Sequence, residues 1–353
     1  MVKAFYESIH YESLRERRIR RSALGGNITF SDSHPVARDG ILDYFETTSF
    51  ERVGILRGEY LLHAAGLLLV DLRGVLTSAC LPPEDWSAAH ALAMQSVEPT
   101  MTSQIRLLLE NSDQLPFAEN PPVFCDPYPL NYFHFSLELI PRMRHFAEYA
   151  RAPLVMEHNS LSRPFQRDLL SRVASGMEYF PVGRGIRVRD PILAHGGMSE
   201  EGIFWLRRAS GISAMPGRRK IYICRAATGT RTTSGGGISE SVGFQTLLRD
   251  FGFETVDFGN GEHGVAAQVA MLEGAGLILS AHGAALTNLA FLNPKLTVVE
   301  VMGSRTSRAC FMHIAATIGF EYHGIFSSTY DDQSDIVVDL DELRGELRRR
   351  LPV

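Results

Sequence analysis

The chain is poor in cysteine, and its few cysteines lie far apart. Cys80, Cys125, Cys224 and Cys310 form no Cys-x-x-Cys pair. A zinc site would need ligands at closer spacing, so the sequence argues against a structural metal. Isolated thiols of this kind are typical of a protein in the reducing cytosol.

Long apolar runs are also missing. The longest run, residues 60–70, contains His63 and falls short of the roughly 20 residues that a membrane-spanning helix needs. Residues 1–21 lack the apolar core of a secretory signal. We therefore expect a cytoplasmic protein.

Neither sign of charge is in strong excess. The chain has 35 Lys and Arg against 40 Asp and Glu, a net charge of −5. Such a surface is unsuited to neutralising a nucleic-acid backbone, so no nucleic-acid partner is expected. With 353 residues, of which 45% are hydrophobic, the chain is long enough for two lobes with separate cores, as in a soluble enzyme.

Basic residues are nevertheless concentrated in two places. Five arginines crowd residues 15–21, and Arg348, Arg349 and Arg350 lie near the end of the chain. One interpretation is that both clusters are solvated faces. The other is peripheral contact with an anionic membrane that carries a lipid-linked acceptor, at the inner membrane face. The sequence leaves both interpretations open.

Periodicity and turn residues divide the chain into a region of short strands, up to about residue 75, and a region in which helices and strands alternate from residue 126. The early strands are predicted at 40–45, 52–56 and 66–72. Helices are predicted at 131–149, 163–174, 199–210, 239–250, 264–274, 306–318 and 341–351. The later strands are predicted at 154–157, 178–181, 186–193, 220–224, 253–258, 277–281, 296–301 and 321–326.

The second half of the chain predicts a parallel, doubly wound sheet, because apolar strands alternate there with helices. A Pro- and Gly-containing segment at 211–219 is interpreted as a linker between lobes. We therefore expect an α/β protein with lobes at 1–210 and 211–334. Residues 335–353 are expected to pack back on the first lobe.

The segment SAHGAALTNLAF, residues 280–291, places His282 and Gly283 where an apolar strand ends and a helix begins. Ligands of open parallel sheets bind at this edge, and helix amides there bind phosphate. Small residues such as Gly283 let a ligand approach the backbone, and Asn288 lies one turn further along. An ordinary strand-to-helix turn is the alternative.

Two arginines follow another buried strand. Arg225 comes directly after the predicted strand 220–224, and Arg231 lies in the Gly-containing loop beyond it. Forked, permanently charged guanidinium groups suit a diphosphate. Solvated loop arginines would be the structural alternative.

A third segment, residues 131–142 (NYFHFSLELIPR), puts Asn131, His134 and Glu138 on one face of a predicted helix. Polar groups on an otherwise apolar helix are costly to bury without partners. In a cleft, Glu138 could deprotonate an acceptor hydroxyl, with His134 as the rival base. A polar stripe whose members satisfy each other is the other reading.

Together these segments resemble glycosyltransferase family 61, and the chain is similar to its bacterial members. The resemblance covers residues 122–302 and rests on an Asn-Tyr-x-His helix, a strand followed by two arginines, a Gln helix, an HGAxLTN segment and a strand that ends in Glu. The matching positions are Asn131, Tyr132, His134, Phe135, Glu138, Pro141, Arg142, Arg225, Arg231, Gln268, His282 to Asn288, and Glu300. The chain departs from the family pattern at Glu138, which replaces Asp, at Phe135, which replaces Trp, and at Ser239-Glu240, which replaces Asn-Glu.

The resemblance implies a GT-B arrangement of two Rossmann-like lobes and an inverting transfer without metal or other cofactor. It implies a nucleotide-sugar donor, expected to be a UDP-sugar, a glycan or lipid-linked glycan acceptor, and a role in surface polysaccharide biosynthesis as a hexosyl- or pentosyltransferase. The implied catalytic residues are Glu138 and His134. The implied donor residues are Arg225, Arg231, His282, Gly283, Asn288 and Glu300. Asn131 and Arg142 are implied to contact the acceptor or to support the site.

Two other motifs suggest different functions. Gly259, Gly261 and Gly264 form a literal GxGxxG, which would favour an NAD-dependent oxidoreductase, but the following strand, 277–281, ends without the acidic residue that binds a ribose. Asp339-Leu340-Asp341 is a DxD pattern that could hold a cation, although acidic residues also favour the start of the helix that follows. The remaining alternative is a glycan-binding protein that kept the fold and lost catalysis.

Overall fold

A computed structural model describes most of the chain from residue 108 onward and several strands before it. The described residues are 11–20, 28–30, 48–56, 58–62, 68–71, 76–78, 108–124, 130–149, 153–157, 161–182, 185–196, 198–224, 237–238, 241–259, 261–303, 310–327, 329 and 335–350. The predicted strand 40–45 and the two arginines Arg225 and Arg231 lie outside them. The chain forms two compact units, Met1–Ile19 with Ser49–Leu206 and Arg20–Thr48 with Arg207–Val353.

From residue 192 onward the described strands alternate with helices. The strands are β1 Tyr11–Arg20, β2 Ile28–Phe30, β3 Thr48–Leu56, β4 Glu59–Leu62, β5 Leu68–Asp71, β6 Leu76–Ser78, β7 Phe117–Glu119, β8 Pro122–Phe124, β9 Leu154–Glu157, β10 Tyr179–Val182, β11 Ile186–Arg189, β12 Ile192–His195, β13 Arg219–Ile223, β14 Glu254–Val256, β15 Ala275–Ala281, β16 Thr297–Gly303 and β17 Glu321–Ser327. The α-helices are α1 Met143–Tyr149, α2 Pro164–Val173, α3 Glu200–Ser210, α4 Val242–Asp250, α5 Val265–Met271, α6 Cys310–Ile318 and α7 Leu340–Arg350. A π-helix spans His134–Leu139, and 3-10 helices span Ser112–Gln114, Ile140–Arg142 and Ala284–Phe291.

The first unit contains two mixed sheets. Their strand orders are β1-β3-β12-β8-β9-β10 and β6-β5-β4-β11-β7. In the first sheet, β12 runs antiparallel to β3 and parallel to β8, and β8, β9 and β10 are mutually parallel. In the second sheet, β11 runs antiparallel to β4 and parallel to β7.

The prediction of a single strand at 186–193 is wrong. The chain forms β11 and β12 instead, which belong to different sheets. Between them Asp190 adopts a left-handed backbone conformation, with φ of 48°. Its carboxylate accepts a hydrogen bond from the Gly58 amide at 2.7 Å, and Pro191 follows without an amide hydrogen to continue a ladder. The break is therefore a local turn within an apolar run.

The second unit has one parallel sheet, as the alternation of strands and helices predicts. Its order is β14-β13-β15-β16-β17-β2, and every paired strand runs parallel to its neighbour. The strand after β13 lies on one side of it, and the strands from β15 onward lie on the other. The order therefore reverses between β13 and β15, which makes this pair of strands the switch point of a doubly wound sheet.

Helices α4 and α7 cover one face of this sheet. Phe244 and Leu247 of α4 and Leu343 and Leu347 of α7 are fully buried against a cluster that includes Tyr222 of β13. Each such side chain contributes roughly 1.5–3 kcal/mol when it leaves water. Helix α7 is therefore part of the core of the second unit.

The DxD pattern caps helix α7, as the helix-start interpretation predicts. Asp339 accepts hydrogen bonds on Oδ1 from the amides of Asp341 at 2.9 Å and Glu342 at 3.0 Å. A capping carboxylate satisfies helix amides that would otherwise lack partners. Ser199 likewise caps α3, because its hydroxyl accepts from the Gly202 amide at 3.1 Å.

The basic end of α7 is tied to the sheet by a buried glutamate. Glu346 pairs with Arg349 and, at 3.0 Å, with Arg350, and its other near neighbour is His323 of β17, whose Nε2 lies 3.1 Å from Oε2. Arg350 also approaches His323 Nδ1 at 2.8 Å. Two of the three arginines in this cluster are thus paired within the protein.

In the described part of the chain, no helix has both the length and the apolar character needed to cross a membrane.

Burial of His323, together with the charges of Arg350 and Arg349, lowers its pKa from 6.5 to about 3. The unfolded chain therefore binds a proton at this residue at a higher pH than the folded protein does. The resulting stability is complete above pH 6.5 and is lost as the pH falls from 6.5 toward 3.

We predict that His323→Gln reduces the pH dependence of the free energy of unfolding. Between pH 7.5 and pH 5, wild type should lose up to about 2 kcal/mol that the variant does not lose. Urea unfolding at the two pH values measures both losses. Equal losses in wild type and variant would contradict the prediction.

Candidate active site

At the switch point of the second unit, the strands that precede two predicted ligand segments end at the same edge of the sheet. Strand β13 ends at Ile223, two residues before Arg225 in the sequence, and β15 ends at Ala281, directly before His282. Ile223 and Ser280 are opposite each other in the two strands, and the Ser280 hydroxyl donates to the Ile223 carbonyl at 3.4 Å. Doubly wound proteins bind their ligands outside this edge.

His282 is held on three sides. Its amide donates to the Val301 carbonyl at 2.8 Å, and its Nδ1 lies 2.5 Å from Oε1 of Glu300. The Phe311 ring lies 5.0 Å away between centroids. The His282 side chain remains 14% exposed, whereas that of Glu300 is only 2% exposed. Of the two, only His282 is accessible to a ligand.

Tyr322 is a residue of this site that sequence reasoning missed. Its hydroxyl donates to Oε2 of Glu300 at 2.6 Å. Burial, reinforced by the Glu300 carboxylate, raises the pKa of Tyr322 well above its ordinary value, so the hydroxyl keeps its hydrogen. In the sequence, Tyr322 is recognisable only as a tyrosine in an apolar strand, and no pattern there pairs it with Glu300.

The rest of the HGAxLTN segment forms the 3-10 helix Ala284–Phe291. Gly283 before it has an extended backbone, with φ of 172°, which any residue can adopt. Asn288 is fully buried. Its amide donates to Gln268 Oε1 and to the Ala285 carbonyl, both at 3.0 Å. Asn288 therefore ties this helix to α5.

The first unit carries the other predicted site residues on a helix that is irregular. A π-helix at His134–Leu139 is followed by the 3-10 helix Ile140–Arg142. Pro141 has no amide hydrogen, so a regular α-helical ladder cannot continue through it. Single π turns within helices occur frequently at functional sites.

His134 and Glu138 form a pair on this π-helix. His134 Nδ1 lies 2.5 Å from Glu138 Oε2, and the side chains are 15% and 26% exposed. Both side chains are therefore partly exposed. Asn131 does not join them, because its Oδ1 accepts from the Phe133 amide at 2.9 Å and caps the first turn. Arg142 donates from Nε to the Gly196 carbonyl at 3.2 Å.

The GxGxxG pattern lies away from the switch point. It follows β14, which is the edge strand of the sheet, whereas a dinucleotide fingerprint follows the first strand of its βαβ unit. Gly259 and Gly261 have φ of 63° and 80°, and Gly264 precedes α5. These glycines are explained by the tight turn into the helix.

The fold and the site define an α/β protein in which ligand binding is expected at the switch point of a parallel sheet. Residues 132–299 match the model of the family Glycosyltransferase 61. The chain therefore carries a glycosyltransferase family 61 domain, and it is an enzyme that acts on a sugar donor and an acceptor. This match displaces the oxidoreductase alternative. No curated protein matches the chain.

Proposed function

We propose that the enzyme is an inverting, metal-independent glycosyltransferase that transfers a sugar from a UDP-sugar to a glycan or lipid-linked glycan. The observation that carries the proposal is the position of His282 beside the end of β13 at the reversal of strand order. A nucleotide is the ligand that this edge most often binds in doubly wound folds.

The donor diphosphate is assigned to the second unit. Arg225, two residues beyond β13, and Arg231 supply positive charge, and His282 supplies a ring nitrogen at the neighbouring strand end. A departing nucleoside diphosphate develops negative charge that such groups stabilise. Gly283 leaves room for the phosphates, and Asn288 holds the segment in place through Gln268.

The acceptor is assigned to the first unit. Inversion by direct displacement needs a base that takes the proton from the attacking hydroxyl. Glu138 is the proposed base, because its carboxylate is partly exposed and carries one hydrogen bond to His134. His134 orients the carboxylate and is the alternative base. Asn131 and Arg142 stabilise the helix that presents both.

In this proposal the chain has the GT-B arrangement, with the acceptor on the first unit and the donor on the second. Its support is that the described residues form two compact α/β units with separate sheets. The product is part of a surface polysaccharide, assembled in the cytoplasm or at the inner membrane face.

We predict that Arg225→Ala weakens UDP binding by about 10- to 100-fold, the effect expected when a charge-assisted hydrogen bond is lost. Isothermal titration calorimetry with UDP measures this change. Arg218→Ala is the matched control, because Arg218 is exposed and precedes the opposite end of the same strand. Equal affinities in wild type and Arg225→Ala would remove Arg225 from the donor site.

Thermal-shift screening with UDP-, GDP- and CMP-sugars identifies the donor, and NAD serves as the contrasting ligand.

We predict that Glu138→Gln lowers turnover by about 100-fold or more, as expected for loss of a general base, and leaves UDP affinity unchanged. Release of UDP from the identified donor, with a glycan acceptor present, measures turnover. Glu178→Gln, at an exposed position of the same unit, should retain wild-type turnover. A Glu138→Gln variant with full activity would exclude this carboxylate as the base and leave His134.

We predict that EDTA does not change turnover, because arginine and histidine side chains take the place of a cation at the diphosphate. The measurement compares UDP release by enzyme dialysed against EDTA, with and without added Mg²⁺ or Mn²⁺. A loss of activity that either cation restores would show that the transfer depends on a metal.

A further inference from the structure

The Glu300 carboxylate behind His282 has both oxygens engaged. Oε1 lies 2.5 Å from His282 Nδ1, and Oε2 accepts the Tyr322 hydroxyl hydrogen bond at 2.6 Å. The side chain is only 2% exposed. A nucleotide bound at the sheet edge would therefore meet His282 and not Glu300.

Tyr322 reaches Glu300 because of the register of the sheet. Glu300 of β16 lies opposite Gly324 of β17, and Tyr322, two residues earlier in β17, points to the same face as Glu300 because side chains alternate along a strand. The tyrosine keeps its hydrogen, since burial raises its pKa. It can therefore only donate to the carboxylate.

An anionic Glu300 determines which nitrogen of His282 carries hydrogen. A carboxylate accepts only, so the nitrogen 2.5 Å from it must be the donor. The hydrogen is thereby placed on Nδ1, and Nε2 is the nitrogen that remains for a ligand. Partner carboxylates fix the tautomer and orientation of histidine rings in this way at metal sites and catalytic sites.

We propose that Glu300 and Tyr322 are positioning residues, which hold the His282 ring in one orientation with hydrogen on Nδ1 and present Nε2 to a phosphate oxygen of the donor. When the diphosphate binds, Nε2 takes up a proton from solvent and donates a hydrogen bond to the phosphate oxygen, and the nearby carboxylate stabilises the resulting imidazolium. The identity of the ligand rests on the proposed function, whereas the tautomer of His282 does not depend on it. The match to the family model, residues 132–299, includes His282 and ends one residue before Glu300.

The first test is nitrogen NMR of the full-length chain labelled with ¹⁵N-histidine. The His282 signals are assigned by their loss in His282→Gln. At pH 8 wild type should show hydrogen on Nδ1 and none on Nε2. In Tyr322→Phe the carboxylate loses its second partner, and the two tautomers should mix, which shifts both nitrogen signals toward their average. Tyr222→Phe, which removes a buried hydroxyl on the other face of the sheet, should retain the wild-type signals.

The second test is UDP binding to the same proteins. Adding UDP to wild type should move the Nε2 signal to its protonated position. Tyr322→Phe should bind UDP about 3- to 10-fold more weakly, the change expected for one net hydrogen bond, and Tyr222→Phe should bind as wild type does. Glu300→Gln, which keeps the shape and removes the charge, is the second variant and should abolish the UDP-dependent protonation of Nε2.

The outcomes separate this proposal from the proposed function. If Tyr322→Phe and Glu300→Gln both retain the wild-type tautomer and the UDP response of His282, the positioning role is overturned. If wild type does not bind UDP but the tautomer depends on Tyr322, the positioning role stands and the assignment of a UDP donor fails.

Discussion

A carboxylate buried within the parallel sheet is the constraint on which the rest of the donor-side site depends. Moving an ionised glutamate out of water costs several kcal/mol unless its oxygens gain partners. Glu300 gains two, His282 and Tyr322, from the strands on either side of β16. The chain can keep this charge only if β15, β16 and β17 hold their register. The geometry at the sheet edge is therefore linked to the stability of the sheet itself.

The order of the strands determines which loops meet at that edge. Because β13 and β15 are parallel neighbours and the order reverses between them, both strands end at the edge where doubly wound proteins bind their ligands. The pattern GxGxxG follows β14, which is the edge strand of the sheet and not one of the two strands at the switch point. The position of each segment in the strand order, more than its sequence motif, distinguishes the predicted ligand segment after β15 from the glycine turn that leads into α5.

Much of this arrangement could be predicted from the sequence. Strands and amphipathic helices differ in the period of their hydrophobic residues. The parallel sheet, and the position of His282 at the end of one of its strands, could therefore be predicted from the sequence. Contacts between distant residues were not. The break at Asp190 depends on a hydrogen bond to Gly58, 132 positions away, and the partnership of Glu300 with Tyr322 depends on the register of two strands. For the same reason Glu300, expected to contact the donor, is found buried behind His282. The π-helix at His134–Leu139 was not predicted, because the residue patterns of an α-helix and a π-helix cannot be distinguished over so short a segment.

Strand β17 serves two purposes because its side chains alternate. Tyr322 points to one face and meets Glu300, and the next residue, His323, points to the other and meets Glu346 and Arg350 of α7. Each face thus carries a buried glutamate that lies beside one of two adjacent residues of this strand. A shift of β17 by one residue would exchange these faces and separate Tyr322 from Glu300 and His323 from Glu346. Helix α7, through Glu346, therefore helps to fix the register that the hydrogen-bonded chain from Tyr322 to His282 requires.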